Sequence, residues 1–182
     1  MDNGASSYRR FLDGDESAFD EIIKELFDGL KFFINRYVQD VHTAEDIAID
    51  VFTELIVNKH KYNFKVSLKT YLYMLGRSRA LNYLKHKKII TFTPLEESEY
   101  LEDSKSLYDT VLQIEKKQII NNALRLLPDE MRAVIHLIYF EDLSYEQTAK
   151  ILKKNRKQID NLLYRAKGEL RIILGKDGEL IL

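Results

Sequence analysis

The sequence predicts an all-α protein of two small helical domains, an N-terminal helix bundle and a C-terminal helix-turn-helix domain, joined by an acidic linker. Three observations predict it. Apolar residues recur at three- and four-residue spacing through most of the chain, whereas a half-buried strand would alternate them with period two. Only two prolines and seven glycines occur in 182 residues, while Leu, Ile, Lys and Glu are abundant. The periodic pattern also dissolves once, between Thr91 and Asp109, where Pro94 and six acids stand against Lys105 alone. The expected division is therefore residues 1–90, a linker over residues 91–110, and residues 111–182. With 45% hydrophobic residues, both parts have enough apolar surface for a core.

The first helix is expected from near Ser17, carrying Phe19, Ile22, Ile23, Leu26, Phe27 and Leu30, and continuing through Phe33, Ile34 and Tyr37. A second should start after Thr43, whose hydroxyl would cap its first amides while Asp46 completes a box-like start. Its apolar stripe is Ile47, Val51, Phe52, Leu55 and Ile56. After a loop rich in Lys, His and Asn, Ser67 caps a third helix to about Lys87, with Leu68, Leu72, Leu75 and Leu81 inward. Beyond the linker, periodicity returns at Val111 and passes Ile114, Ile119, Leu124 and Leu127. Pro128 then opens a helix with Met131, Val134, Ile135 and Ile138 inward, ending near Glu141.

The segment from Leu143 to Leu170 looks like a helix-turn-helix. Ser144 with Gln147 makes a capping-box start, Ala149 is small where two helices must cross, and Asn155 with Gln158 repeats the start signal. Ile159, Leu162 or Leu163, Ala166 and Leu170 turn inward; Arg156, Lys157, Asp160, Asn161, Tyr164, Arg165 and Lys167 turn outward. The first residues of such a second helix reach base edges in the major groove, which selects Arg156, Lys157, Asp160 and Asn161, with Asp160 able to accept from cytosine N4. The plainer alternative is the solvated side of a helical hairpin.

Charge is distributed unevenly. Acids (29) slightly outnumber Lys plus Arg (28), yet none occurs between Leu55 and Leu95. That gap holds Lys59, Lys61, Lys65, Lys69, Arg77, Arg79, Lys85, Lys87 and Lys88, interleaved with Tyr62, Phe64, Tyr71, Tyr73 and Tyr83. Such cations displace the counterions of phosphates, and aromatic faces stack on unpaired bases at roughly 1 to 3 kcal/mol each. On the third helix Lys69, Tyr73 and Arg77 share one face, expected to lie opposite the leucines. Gly76 in its interior costs about 1 kcal/mol relative to Ala, marking close approach by another helix or by a DNA backbone. Before the gap, Asp46, Asp50 and Glu54, with Glu45 beside them, form an acidic ridge at helical spacing. Like charges so placed repel by a few tenths of a kcal/mol, a cost that a basic partner would remove.

Several classes are disfavoured. Without cysteine there is no disulfide and no thiolate metal site, and the four histidines lack ligand spacing. No glycine-rich phosphate loop or nucleophile elbow occurs, so no cofactor, metal, small-molecule substrate or catalysis is expected. No apolar run approaches the roughly 20 residues that span a bilayer, and the start MDNGASS lacks signal-peptide regions. A cytoplasmic protein is expected.

Four blocks in this order resemble a bacterial RNA polymerase sigma factor of the extracytoplasmic-function branch: GDESAFDEIIKELF, TAEDIAIDVFTELI, YNFKVSLKTYLYMLGRSRALNYLKHKK, and the stretch from LPDEMRAVIHL to YRAKGELR. The resemblance covers nearly the whole chain. It implies that Glu45, Asp46, Ile49, Asp50 and Glu54 dock on core RNA polymerase. It implies that Lys61, Tyr62, Phe64, Lys65, Lys69, Tyr73, Arg77, Arg79, Asn82 and Lys85 open and read the minus-ten promoter element, the loop from Lys61 to Ser67 holding an extruded base. Asn155, Arg156, Lys157, Gln158, Asp160, Asn161, Tyr164 and Arg165 would read the minus-thirty-five element as duplex DNA. Further implied are an anti-sigma partner, often membrane-anchored in this family, and a stress or envelope-response regulon. The chain departs from the family at Ile49, where Gln is usual, and at Ser78, where Asn is usual. It departs again at Lys153 in place of the turn glycine, and at Asp160 and Leu162 in place of Lys and Arg. The alternative function is a free-standing helix-turn-helix transcriptional regulator; a third is an adaptor that binds proteins only.

Overall fold

The computed structural model describes residues 4–90 and 111–175, with side chains over 4–87 and 118–175. The expected acidic linker over 91–110 lies outside the described residues. Eight α-helices follow one another: α1 (Ala5–Leu12), α2 (Ser17–Val38), α3 (Val41–Val57), α4 (Leu68–Ile90), α5 (Val111–Leu126), α6 (Asp129–Ile135), α7 (Tyr145–Leu152) and α8 (Arg156–Leu174). There is no strand among the described residues. The chain divides into two compact units, the first holding α1 to α4 and the second built on α5, α6 and α8, with α7 leading into α8.

In the first unit α2 is central, packed against α1, α3 and α4. Its buried face is Ile22, Leu26, Leu30, Phe33 and Ile34, which is the expected stripe; Ile23, expected with them, is 36% exposed. Gln39 ends α2 in the left-handed conformation at φ 53°, and the chain turns at once into α3. Here the expected start is corrected. The cap is Asp40, whose carboxylate accepts from the Thr43 N–H at 2.7 Å, so Thr43 is third in the helix rather than its cap. The Thr43 side chain, and then this backbone N–H, hold the Asp40 carboxyl below the usual carboxylate range by hydrogen bonding to it. The cap lies three residues before the expected one, because Thr-x-x-Asp imitates a box that Asp-x-x-Thr already fills.

The predicted face of α4 is also corrected. Ser67 caps it, its Oγ accepting from the Thr70 N–H at 3.2 Å. Leu68, Leu72, Gly76 and Ala80 form the inward column with Tyr73, while Leu75 is only half-buried and Leu81 is 38% exposed. Small residues face inward because α4 runs close to α2. A Cβ on Gly76 would lie 2.9 Å from Leu30 Cδ1 and 3.2 Å from Ile34 Cδ1. Ile56 of α3, expected inward, is 41% exposed.

Helix α1 has no counterpart in the sequence reading. Tyr8 and Phe11 lie buried on it. The Tyr8 hydroxyl donates towards the carbonyls of Leu55 (3.0 Å) and Lys59 (3.1 Å), tying α1 to the end of α3 and the loop that follows. Burial, and then the neighbouring Tyr71 and Tyr62, push its ionisation up to about 12.

In the second unit α6 buries Met131 through Ile135 and packs on α8, as α5 does. Pro128 opens α6 as expected. The helix then widens into a π-helical turn over His136–Phe140 before the chain leaves it at Glu141. Inside the turn the buried His136 Nε2 lies 3.1 Å from Glu141 Oε1. Ile119, expected in the core, is 41% exposed; the side chains of Val111 and Ile114 lie outside the described residues.

Candidate nucleic-acid interfaces

The second unit builds its candidate surface from two capping boxes. Ser144 and Gln147 exchange bonds of 2.8 and 3.2 Å at the start of α7, and Asn155 and Gln158 exchange two of 2.8 Å at the start of α8. Asn155 and Gln158 therefore spend their polar groups on the helix start, although both are exposed. The turn between the helices passes through Lys153 at φ 56°, a left-handed conformation that glycine adopts freely and lysine does not. Inward fall Ile159, Leu162, Leu163, Ala166 and Leu170, all buried.

Outward fall Arg156, Lys157, Asp160, Asn161, Tyr164 and Arg165, all exposed, with Tyr164 at 81%. Arg156 also reaches Glu146 of α7 at 3.1 Å, both ends in water, a pairing worth about 0.2 to 1 kcal/mol that a phosphate or base edge can displace. Lys167, read as outward, is half-buried with its ammonium 5.2 Å over the Tyr139 ring.

The first unit arranges its charges differently. Asp46, Ile49 and Asp50 of the ridge face solvent, and Glu45 lies 3.9 Å from Lys31. Glu54 turns towards α4. Its two carboxylate oxygens take Arg79 at 2.5 Å and Lys61 at 2.9 Å, and Arg79 also approaches Asp50 at 3.4 Å. These contacts, Arg79 first, hold the Glu54 carboxyl below its ordinary value. Two residues placed among the DNA contacts thus rest on one placed among the docking residues.

The loop residues divide between core and surface. Tyr62 is 3% exposed; its hydroxyl donates to the Val66 carbonyl at 2.7 Å, and its ring packs on Tyr8, Phe64 and Tyr71. Tyr73 is fully buried, with its ring 5.1 Å from that of Phe33. Neither presents a face to a base, which corrects their expected role as stackers. Phenol rings interleaved with cations read as a surface, but here Tyr62 packs among Tyr8, Phe64 and Tyr71, and Tyr73 packs on Phe33. Phe64 is half-buried at φ 60°, Lys65 is exposed and Lys69 is half-buried, its ammonium 5.9 Å over the Tyr73 ring. Arg77 is half-buried; Asn82 and Lys85 are exposed.

Sequence reasoning passed over Arg9 of α1, whose guanidinium lies 4.9 Å over the Phe64 ring. The spacing of Tyr8, Phe11 and Leu12 was the signal for this helix. Among the described residues no cluster of three metal-ligating side chains occurs, and no helix is long and apolar enough to cross a membrane.

Residues 22–89 match the family model Sigma-70 region 2, and residues 117–170 match Sigma-70, region 4. The extracytoplasmic-function (ECF) RNA polymerase sigma factor SigM of Bacillus subtilis is 23% identical over 158 residues, spanning 86% of this chain and 95% of SigM. The ECF sigma factor SigW of the same organism is 26% identical over 167 residues, 87% of this chain and 89% of SigW. Among solved structures, the sigma factor RpoE in complex with the anti-sigma factor NepR from Bartonella quintana matches with a TM-score of 0.72 at 20% identity. That match covers 87% of this chain and 98% of the other. It is a likeness of fold.

Proposed function

We propose the function of this chain from the family it belongs to, the RNA polymerase sigma factors of the sigma-70 family, in their extracytoplasmic-function branch. The chain binds core RNA polymerase and directs promoter-specific initiation of transcription. It does no chemistry of its own, since the polymerase supplies the catalysis. The observation that carries this reading is the pairing, on one chain, of a solvent-facing ridge of Asp46, Ile49 and Asp50 with an α8 whose outward residues take no part in its packing.

The first unit docks through that ridge, where exposed Ile49 adds apolar surface to two carboxylates. Its loop and α4 then engage the minus-ten element as it opens. Phe64, Lys65, Lys69, Arg77, Asn82 and Lys85 make those contacts, and Lys61 and Arg79 join them when Glu54 lets go. Flipping a base costs a few kcal/mol of unstacking, which contacts to polymerase and single strand together must offset. In the second unit, Arg156, Lys157, Asp160 and Asn161 lie at the start of α8, the end of a recognition helix that enters the major groove. Asn155 and Gln158 act by fixing that start.

RpoE was solved bound to an anti-sigma factor, which supports the same kind of partner for this chain. Such a partner, anchored at the membrane, would hold this cytoplasmic protein inactive until a stress or envelope signal releases it.

Reconstitution with core polymerase on genomic promoter fragments tests the reading. Co-elution with core and discrete start sites are expected. Asp50→Lys should weaken core binding and spare DNA binding by the second unit, while Arg156→Ala should lose promoter selectivity and keep core binding. Failure to bind core sinks the proposal, and swapped outcomes sink the assignment of surfaces.

A further inference from the structure

Two consecutive arginines on α1 have unlike surroundings. Arg10 is held by Asp15 at 3.2 Å and Glu21 at 2.7 Å, so its charge is neutralised within the fold. Arg9 is exposed, and among the described residues its guanidinium is placed by the Phe64 ring alone, 4.9 Å from the centroid. Lys59 repeats the arrangement on another ring of the same cluster, with its ammonium 4.5 Å over the Phe11 ring. A ring orients a cation without cancelling its charge, at about 0.5 to 1 kcal/mol in an exposed setting. Both are therefore held in place and still able to take an anion.

What fixes them is one aromatic cluster. Tyr8 lies 5.9 Å from Phe11 and 5.6 Å from Tyr62, and Tyr62 lies 4.6 Å from Phe64. The Tyr8 hydroxyl further ties the carbonyl of Lys59, so both cations share a rigid support with the loop from Lys61 to Ser67. Orientation settled before binding lowers the entropy that a contact costs.

We propose that Arg9 and Lys59 bind the backbone phosphates of single-stranded promoter DNA on either side of the base held by that loop. This rests on the sigma-factor reading and adds to it a contact from α1, outside the acid-free segment. Phosphate fits better than an acidic protein partner, because the two cations rest on the same aromatic cluster as the loop that carries Phe64 and the exposed Lys65.

The test uses full-length chain bound to core polymerase and a promoter fragment with a preformed single-stranded minus-ten bubble, its affinity measured across a salt series. Arg9→Ala and Lys59→Ala should each weaken binding about three- to ten-fold. Each should also flatten the slope of log affinity against log salt by about 0.7, the value per phosphate on a single strand. Arg9→Lys should keep the slope, and Arg10→Ala should leave it unchanged. Replacing the flanking phosphates by neutral methylphosphonates should mimic the double variant and add nothing to it.

An unchanged slope in the double variant overturns the proposal while leaving the sigma-factor reading intact. Weakened core binding with an unchanged slope also overturns it, assigning the two cations to polymerase carboxylates. If the unsubstituted chain with core fails to bind the bubble, both fall.

Discussion

On α8 every residue expected to meet DNA faces solvent, and the residues between them are buried at helical spacing. On α4 and the loop before it, Tyr62 and Tyr73 are in the core, while Lys61 and Arg79 reach Glu54, which precedes Arg79 by 25 residues. Both segments read as basic surfaces. The difference lies in what the charged residues of each helix meet. Helix α8 packs on α5 and α6 and leaves Arg156, Lys157, Asp160 and Arg165 exposed, whereas α4 packs on α2 and α3 and its Arg79 meets Glu54 of α3. A stretch of sequence without acids is thus not a region of space without them, because a neighbouring helix can supply the carboxylates.

The largest test of that contrast exchanges one tyrosine in each segment. Tyr73→Ala should cost about 3 to 5 kcal/mol in urea unfolding, as removal of a buried aromatic does, while Tyr164→Ala should stay within about 0.5 kcal/mol. Equal losses would break the comparison.

A matched pair of glycines sharpens it. Nothing lies within 4 Å of a Cβ built on Gly168 of α8, so Gly168→Ala should stabilise by up to about 1 kcal/mol through helix propensity. Gly76→Ala gains the same propensity but presses on Leu30 and Ile34, and overpacking costs about 1 to 3 kcal/mol, leaving a net loss near 1 kcal/mol. Opposite signs in thermal melts are the expected result.

Lys153→Gly should relieve a left-handed backbone and raise stability by about 1 kcal/mol, with the affinity for core polymerase unchanged. A loss of stability would mean that Lys153 contributes packing of its own.

The smallest effect concerns the Glu54 contacts, worth about 0.5 kcal/mol as a part-exposed ion pair. The Glu54 carboxyl titrates below its ordinary value of 4.5 in the folded chain, so its contribution is complete above that pH and is lost as pH falls through the lowered value. The stability difference between the unsubstituted chain and Glu54→Gln should be flat from pH 7 to about 5 and shrink below. A difference that grew on acidification would reverse the sign assigned to this contact.

The sequence was most legible where signals are local. Both capping boxes of the helix-turn-helix, the Ser67 cap and the Pro128 start follow from residues within four positions of each other. Legibility fell where distant chain decides. Helix α1 spans only Ala5–Leu12, so Tyr8, Phe11 and Leu12 give a single turn of apolar spacing, and it is held by Tyr8 contacts 47 and 51 residues away. The inward face of α4 differs from its leucine stripe because Gly76 and Ala80 lie inward, where α2 approaches. The π-helical turn at His136–Phe140 carries no compositional signal of its own. Within the candidate sites the same division holds: exposed α8 residues were readable one by one, whereas pairing of Lys61 and Arg79 with Glu54 was not.

The cluster around Tyr8 also makes the protein its own optical instrument. The chain contains eleven tyrosines and no tryptophan, so its near-ultraviolet signal is mainly phenolic. A tyrosine in water ionises near pH 10, whereas Tyr8 is pushed up to about 12 by the packing that pins the loop. The phenolate still missing between those two values therefore reports, without any label, whether the aromatic cluster holding Tyr8 and Tyr71 is packed. A tryptophan introduced nearby would add a second channel on an empty background.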